Sequence, residues 1–399
     1  MWPTASPAWV QNFWGDEDLQ VIQSPLFLVC IIAGATALAF LLDHRVRWLS
    51  KVGASLLALI LGAILSNTGL VPAASPVYSV IEGPLTSLAI AWLLLAVNLS
   101  DLRVAGPRMV GAFLLAGLGT ALGAMVGAVL FAGSFGENSW RLAGVFTGTY
   151  SGGSVNFVAV GRGVDLPDFL FSGAVAADAL TTGIWLAACL MLPLWIGRFY
   201  KAAIPGQDEA GDTGAHPHPF FEKVPLSTLD LASLLAVGFI LVLASEWIGG
   251  RTPGIPPVLW LTTFALAVGH LKHFREPRGA LQLGNLALHF FFVVIGIHSR
   301  VSEILSVGME IFYYTLVVVG VHGLVVFGIG RLARMDVGTL AVASQAAVGG
   351  PSSALAVAVS REWKGLVLPG IIVGLLGYAL GNYLGFGVAY LVRGAGVGL

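Results

Sequence analysis

Charge is scarce in this sequence. Of its 399 residues, 10% are Asp, Glu, Lys or Arg and 57% are hydrophobic. Soluble domains carry about 25% charged residues, so this chain has too few charges to cover a water-facing surface. The net charge of -1 also excludes a nucleic-acid-binding protein, because such a protein needs a basic face.

Several sequence signals are absent as well. The two cysteines, Cys30 and Cys189, lie inside apolar runs, and no group of Cys, His and carboxylate residues has the spacing of metal ligands. No G-x-x-x-x-G-K-[ST], H-E-x-x-H or G-x-S-x-G motif occurs, so we expect no ATP-driven transport, no enzymatic activity and no organic cofactor.

No Lys or Arg precedes Arg45. This excludes the basic region of a targeting peptide, so the first apolar run is predicted to be a retained transmembrane helix.

Long apolar runs are what the sequence has instead. Mean hydropathy is +0.87, and runs close to the ~20 residues that cross a bilayer as a helix recur along the chain. The alternating pattern of a membrane β-barrel is missing. We predict an all-α membrane protein whose partner is the lipid bilayer. The twelve apolar segments are 24–42, 54–70, 77–98, 107–132, 141–161, 168–197, 229–248, 255–271, 282–298, 308–330, 337–360 and 366–392.

A polar linker divides the chain into halves of similar length. Residues 198–228 are rich in Pro, Gly and acidic side chains. We therefore predict a first transmembrane repeat at 1–197 and a second at 229–399.

The two halves also show a weak internal sequence repeat. A shift of 197 residues places the glycine pair at 152–153 on the pair at 349–350 and aligns most of the apolar segments. The glycine pairs carry most of this inference, because apolar segments align easily by chance.

Basic residues are distributed differently in the two halves. They follow odd-numbered segments in the first half and even-numbered segments in the second, and cytoplasmic loops carry the excess of Lys and Arg. We predict an external N-terminus, a cytoplasmic linker and C-terminus, and two inverted repeats. Six crossings per half would leave the repeats parallel, so inversion requires about eleven or thirteen transmembrane helices.

Segments five and eleven, 141–161 and 337–360, are the most informative. Each has a glycine pair near its centre, and Pro351 follows the second pair. In a helix each glycine costs about 1 kcal/mol and an interior proline about 3 kcal/mol. We predict two discontinuous helices, broken at about 150–154 and about 348–352, that cross near mid-membrane. The alternative is a pair of continuous helices packed closely through small residues.

Two interrupted helices at matching positions indicate the binding site of a transporter. The N-terminus of a half-helix suits an anion, and freed backbone carbonyls can bind Na⁺, here near Gly152 and Gly349. The predicted substrate-binding residues are Thr149, Ser151, Gly152, Gly153, Ser154, Asn156, Ser344, Gln345, Gly349, Gly350, Pro351, Ser352 and Ser353.

Asp178 is an ionisable residue deep within an apolar segment. It lies about 15 Å along the helix predicted at 168–197, with no Lys or Arg within fifteen residues. Such residues usually face a cavity or an ion path, so we predict that Asp178 and Thr182 form the cation-coupling site for Na⁺ or H⁺. A neutral, hydrogen-bonded structural acid is the alternative. The 197-residue shift aligns Leu375 with Asp178, so the acid is not duplicated.

Three other ionisable residues lie in apolar segments. Glu82 precedes Pro84 and is predicted near the membrane interface. His289 and His322 are interpreted as packed, hydrogen-bonded residues rather than as ligands.

Two long motifs resemble the signatures of the DUF819 family of membrane proteins. The first is GTYSGGSVNFVAV at 148–160, followed by AVAADA at 174–179. The second is ASQAAVGGPSSALAVA at 343–358, followed by LVLPGIIVGLLGYALGNYLG at 366–385. The run at 66–95 fits as well, so the resemblance covers most of the chain after about residue 50.

The resemblance implies a place in the cation/proton antiporter and anion transporter superfamily. It implies inverted repeats, crossing broken helices and a mobile core that moves against a scaffold, often a dimerisation domain. A homodimer in a bacterial cytoplasmic membrane is the corresponding expectation. The motifs place Gly152 to Asn156 and Ser344 to Ser353 at the crossover. The sequence departs from the family at Ala179 and Gln345, where the family usually has Asn.

Three functions are consistent with these features. The first is a secondary transporter that moves a small organic, anionic solute with Na⁺ or H⁺. The second is a cation/proton antiporter that uses Asp178. The third is a membrane receptor or intramembrane enzyme without transport activity.

Overall fold

The computed structural model describes residues 24–46, 49, 53–72, 74–200, 202–205, 225–271, 279–298 and 301–398, with the backbone alone at 301–307. The main helices are α1 (Pro25–Arg45), α2 (Ala54–Asn67), α3 (76–95), α4 (Leu102–Leu130), α5 (Ser139–Thr149), α6 (Ser154–Gly163), α7 (Asp168–Ile196), α8 (Thr228–Gly249), α9 (Pro257–Gly269), α10 (Ala280–His298), α11 (Val301–Leu332), α12 (Val337–Ser360) and α13 (Lys364–Gly394). These described ranges contain no β-strand.

The helices confirm the prediction of an all-α membrane protein. Eight helical stretches in the described part of the chain are long and apolar enough to cross a bilayer. They are Pro25–Arg45, Pro76–Leu130, Asp168–Phe199, Thr228–Gly249, Ala280–His298, Gly308–Leu332, Val337–Ser360 and Lys364–Gly394. Large apolar side chains on them point outward, as lipid-facing residues do: Leu243 is 68% exposed and Leu324 is 77% exposed.

Two of the predicted segments form shorter helices. α2 has 14 residues and α9 has 13, which correspond to about 20 Å of helix against a hydrocarbon core of about 30 Å. They are the second apolar segment of each predicted half. The predicted number of crossings, the inverted orientation and the sidedness of the termini stay predictions. Residues 1–23 and 206–224, which include the N-terminus and most of the linker, lie outside the described residues.

Local sequence signals set several helix boundaries. Ser24 accepts a hydrogen bond from the Phe27 N–H at 3.2 Å, and a proline begins the helix that it caps. Ser227 and Asp230 form a capping box at the start of α8. Asp336 accepts from the Thr339 N–H at 2.7 Å and begins α12. These side chains satisfy N–H groups that have no partner within the helix.

The described residues fall into two compact units. The first unit lies within Met1–Ala89, Pro167–Leu180 and Leu283–Ile311, and the second within Ile90–Leu166, Thr181–Gln282 and Phe312–Leu399. Each unit therefore draws on both halves of the chain.

Small residues allow close helix packing inside each unit. In the first unit, Gly62 of α2 lies against the Val293 carbonyl of α10, and Gly296 of α10 lies against the Leu59 carbonyl. In the second unit, α13 packs against α4, α5 and α12. The second unit therefore contains both of the segments that the sequence predicted to be interrupted.

Candidate functional site at two interrupted helices

The first interruption separates α5 from α6. α5 ends at Thr149, and Gly153 caps the start of α6 with φ 78° and ψ -169°. This combination is essentially restricted to glycine. The Gly153 carbonyl then accepts from the Asn156 and Phe157 N–H groups at 3.0 and 3.2 Å, which begins the next half-helix.

The second interruption lies inside α12. Gly350 has φ 77° and ψ -169°, and Pro351 follows it. These torsions match those of Gly153, which stands 197 residues earlier. Both predicted interruptions are thus present, and a pair of continuous helices is excluded.

The two half-helices that follow also end in the same way. Asp165 and Glu362, again 197 residues apart, have left-handed φ angles of 51° and 56°. The next residues, Leu166 and Trp363, donate their N–H groups to the carbonyl five residues earlier at 2.9 and 2.8 Å. Hydrogen bonds of this span close helix C-termini in the Schellman motif. Residues 197 positions apart therefore share backbone conformation as well as sequence.

Both interruptions contact the same turn of α13. The Asn156 side-chain amide donates to the Gly377 carbonyl at 2.9 Å. A methyl group at Gly374 would stand only 2.7 Å from the Pro351 nitrogen. Gly374 and Gly377 are separated by about 4.5 Å of helix rise and lie about 15–20 Å from the start of α13. The two breaks therefore meet at one level, near the middle of α13.

Several polar atoms at this meeting point are buried. Ser151, Asn156 and Gln345 are each 0% exposed. Within the described part of the chain, Ser151 Oγ, Asn156 Oδ1 and both amide atoms of Gln345 have no hydrogen-bond partner. An unsatisfied buried polar group costs about 1–3 kcal/mol. These atoms therefore leave hydrogen-bonding capacity unused beside the two interruptions.

The other predicted binding residues surround these atoms. Ser353 donates its hydroxyl to the Gly350 carbonyl at 3.0 Å. Thr149, Gly152, Ser344, Gly350 and Pro351 are buried; Gly153, Ser154, Gly349 and Ser353 are half-buried; and Ser352 is exposed.

His322 links the two interrupted helices through buried hydrogen bonds. Its Nε2 lies 2.8 Å from Ser344 Oγ in the first part of α12, and its Nδ1 lies 2.9 Å from Thr120 Oγ1. Thr120 donates its hydroxyl to the Tyr150 carbonyl at 2.8 Å, within the first interruption. Trp185 donates its indole N–H to Ser344 at 2.9 Å.

These contacts define the direction of the chain of hydrogen bonds. Because Thr120 gives its hydrogen to Tyr150, its oxygen must accept from His322 Nδ1–H. Nε2 of a neutral imidazole is then an acceptor and takes the Ser344 hydroxyl hydrogen. The Trp185 indole N–H, which can only donate, gives its hydrogen to Ser344 Oγ, so this oxygen both donates and accepts a hydrogen bond. One neutral tautomer of His322 thus satisfies every group in the chain.

The structure confirms that both histidines are packed and hydrogen-bonded. His289 donates Nδ1–H to the Asn285 carbonyl at 2.7 Å and lies 3.4 Å from Ser55 Oγ. The sequence did not reveal that His322 connects the first interruption to the first part of α12, since its partners lie on other helices.

Asp178 and Thr182 lie one turn apart in α7, and both are half-buried. Asp178 belongs to the first unit, and the interrupted helices belong to the second. Its cation-coupling role stays a prediction.

The fold and the site define a class: an all-α membrane protein built around two interrupted helices whose breaks meet. The chain belongs to the family described as "Protein of unknown function (DUF819)", which it matches over residues 30–394. It is 28% identical over 372 residues to "Uncharacterized membrane protein YjcL" of Bacillus subtilis (strain 168), over 89% of this chain and 93% of that relative. The DUF819 resemblance of the two sequence motifs is thereby confirmed.

Proposed function

We propose that this protein is a secondary active transporter that moves a small organic anion by alternating access, coupled to Na⁺ or H⁺. The observation that carries the proposal is the side chain of Gln345. It is fully buried beside the second interruption, where its Nε2 would stand 2.7 Å from a methyl group at Gly349, and neither of its amide atoms is hydrogen-bonded within the described part of the chain. A solute bound there would recover the hydrogen bonds that this amide lacks.

The interruptions supply groups that suit an anion. α6 and the half-helix that begins at Pro351 each present a helix N-terminus at an interruption, and helix N-termini attract negative charge. Gln345 Nε2 adds a side-chain donor to these helix N-termini. A carboxylate accepts hydrogen bonds from donors of both kinds.

The same site presents acceptors that a simple carboxylate leaves unused. Gln345 Oε1 and Asn156 Oδ1 can only accept hydrogen bonds or bind a cation. A solute that carries N–H or O–H groups as well as a carboxylate satisfies both kinds of atom. Amino acids, hydroxy acids and short peptides have this chemistry.

A cation/proton antiporter is the second candidate, and the same two oxygens favour it. Backbone carbonyl oxygens bind Na⁺ in interrupted transporter helices, so Na⁺ alone would satisfy Gln345 Oε1 and Asn156 Oδ1 but not the donor Gln345 Nε2. In both candidates Asp178 is the cation-coupling carboxylate. The two differ in whether an organic solute binds.

The remaining parts of the proposal come from the DUF819 resemblance. They are membership of the cation/proton antiporter and anion transporter superfamily, inverted repeats, a homodimer and a bacterial cytoplasmic membrane. No enzymatic activity is proposed.

Thermal unfolding of the purified protein in detergent tests the proposal. Melting temperatures are measured with and without Na⁺, at several pH values, against amino acids, hydroxy acids and simple carboxylates. Stabilisation by a solute that disappears in Gln345→Ala supports the organic-anion transporter. The exposed glutamine Gln282 provides the control, since Gln282→Ala should keep the full response. Uptake of the stabilising solute into proteoliposomes then checks transport.

Other outcomes decide against this function. Stabilisation by Na⁺ or pH alone, without any solute effect, supports the antiporter. A solute that stabilises the protein but is never taken up supports a receptor. A solute response that survives in Gln345→Ala removes the interrupted helices from the binding site.

A further inference from the structure

A second cluster of ionisable side chains lies in the first unit. Glu82 comes from α3, Asp168 is the first residue of α7, and His298 is the last residue of α10. One potential ligand atom from each residue lies within 4.8 Å of the other two. Only Glu82 of the three stands out in the sequence, because the three residues are far apart in the chain.

The imidazole of His298 stands between the two carboxylates. Its Nδ1 lies 3.0 Å from Glu82 Oε1 and 3.6 Å from Asp168 Oδ2. The side chains of Glu82 and His298 are 14% and 19% exposed, whereas that of Asp168 is 40% exposed. The cluster is therefore mostly enclosed, and Asp168 is its most exposed member.

These separations suit donor atoms that share one metal ion. Zn²⁺ binds His nitrogen and carboxylate oxygen at about 2.0–2.2 Å. Neighbouring donors of a tetrahedral or octahedral ion then stand about 3.0–3.6 Å apart. The two distances from His298 Nδ1 fall at the ends of this interval. This nitrogen is also buried and makes no contact that meets hydrogen-bond geometry in the described structure.

The surrounding residues hold two of the ligands in place. α3 contains a π-helical turn, Ile81–Leu85, which carries Glu82 and Pro84; π turns occur frequently at functional sites. Thr86 donates its hydroxyl to the Ile81 carbonyl at 2.7 Å and so satisfies the backbone at this turn. The ring of Tyr78 meets His298 edge-on with the centroids 5.5 Å apart.

We propose that Glu82, Asp168 and His298 bind a divalent transition-metal ion that ties three separate chain segments of the first unit together. One imidazole and two carboxylates form a mixed nitrogen and oxygen set, which suits Zn²⁺ or Mn²⁺ and differs from the all-oxygen sets of Ca²⁺ and Mg²⁺. A divalent ion also neutralises the two carboxylates. The proposal concerns the first unit and is independent of the proposed transport function.

Metal binding to full-length, tag-free protein tests this site. His216 and His218 of the linker could bind Zn²⁺ by themselves, so both are replaced by Gln in the starting protein. The protein is stripped with a chelator and titrated with Zn²⁺, with Mn²⁺ and, as a control, with Mg²⁺. Bound metal is counted by elemental analysis, the affinity is measured by calorimetry, and Co²⁺ absorption reports the ligand geometry.

The variant His298→Gln removes a ligand but keeps a hydrogen-bond donor for the carboxylates. We expect one Zn²⁺ per chain and a higher melting temperature with Zn²⁺ in the starting protein. In His298→Gln the affinity for Zn²⁺ should fall at least about 10-fold. Loss of a residue that only supports a metal ligand already costs about 10-fold, and His298 is proposed as a ligand itself. His270→Gln is the matched control, since His270 is also a half-buried histidine at a helix end.

Several outcomes would overturn the proposal. One is the absence of stoichiometric Zn²⁺ or Mn²⁺ binding. Another is equal affinity in His298→Gln and in the starting protein. A melting temperature that depends on pH through His298 but not on metal identifies the cluster as an ion pair at helix ends instead.

Discussion

Replacing Gly350 by alanine isolates the backbone cost of the second interruption. Gly350 has φ 77° and ψ -169°, and a Cβ built there would meet nothing within 4 Å. The substitution therefore creates no clash, and its effect arises from the backbone alone. A non-glycine residue in this region costs about 1–3 kcal/mol. We expect Gly350→Ala to lower the free energy of unfolding by this amount.

A matched glycine in a regular helix should respond with the opposite sign. Gly328 of α11 also has open space around its Cα, but it has no positive φ. Alanine is favoured over glycine by about 0.8–1 kcal/mol in a helix interior, so Gly328→Ala should stabilise. The two variants should thus differ by about 2–4 kcal/mol.

Reversible unfolding in mixed detergent micelles measures this difference. Gly153→Ala provides a repeat of the test, because Gly153 has the same torsions and its added Cβ would meet only Tyr378 Cε1, at 3.8 Å. If Gly350→Ala and Gly153→Ala stabilised the protein as Gly328→Ala does, both helices would be continuous. The binding site argued from their breaks would then be refuted.

Four further predictions concern the site and the topology. Asp178→Asn should abolish ion-dependent uptake with little change in melting temperature; wild-type ion dependence would remove Asp178 from the mechanism. Gln345→Leu should raise the stability of the solute-free protein by about 1 kcal/mol, since it removes an unsatisfied buried amide; a loss of stability in micelle unfolding would contradict this. His322→Phe should destabilise by about 2–4 kcal/mol because it leaves two buried hydroxyls with incomplete hydrogen bonding, and His322→Gln should recover part of this loss. Cysteines introduced at Ala5 and Ala210, in protein whose exposed native cysteine is replaced by serine, should be labelled from opposite sides of the membrane; labelling of both from one side would overturn the predicted sidedness.

Local signals in the sequence were enough to predict the helices and their interruptions. Apolar run length defines where a helix can lie in a bilayer, and capping side chains act on the residues beside them. The Gly pairs and Pro351 act just as locally, because glycine is what permits the torsions seen at Gly153 and Gly350. The 197-residue repeat was recognisable in the sequence because it repeats these local signals.

The tertiary structure alone decided which side chains meet. Asp168 and His298 stand at the ends of two helices, where an acid at a helix N-terminus and a histidine at a C-terminus are ordinary residues. Only packing inside the first unit brings them to Glu82. In the second unit, His322 links Ser344 to the first interruption through residues distant in the chain. Periodicity and local propensity report which face of a helix is apolar, but they do not report which neighbouring helix that face contacts. Such pairings arise from long-range packing, which is why the sequence identified the broken helices but not the hydrogen bonds and ion pairs between helices.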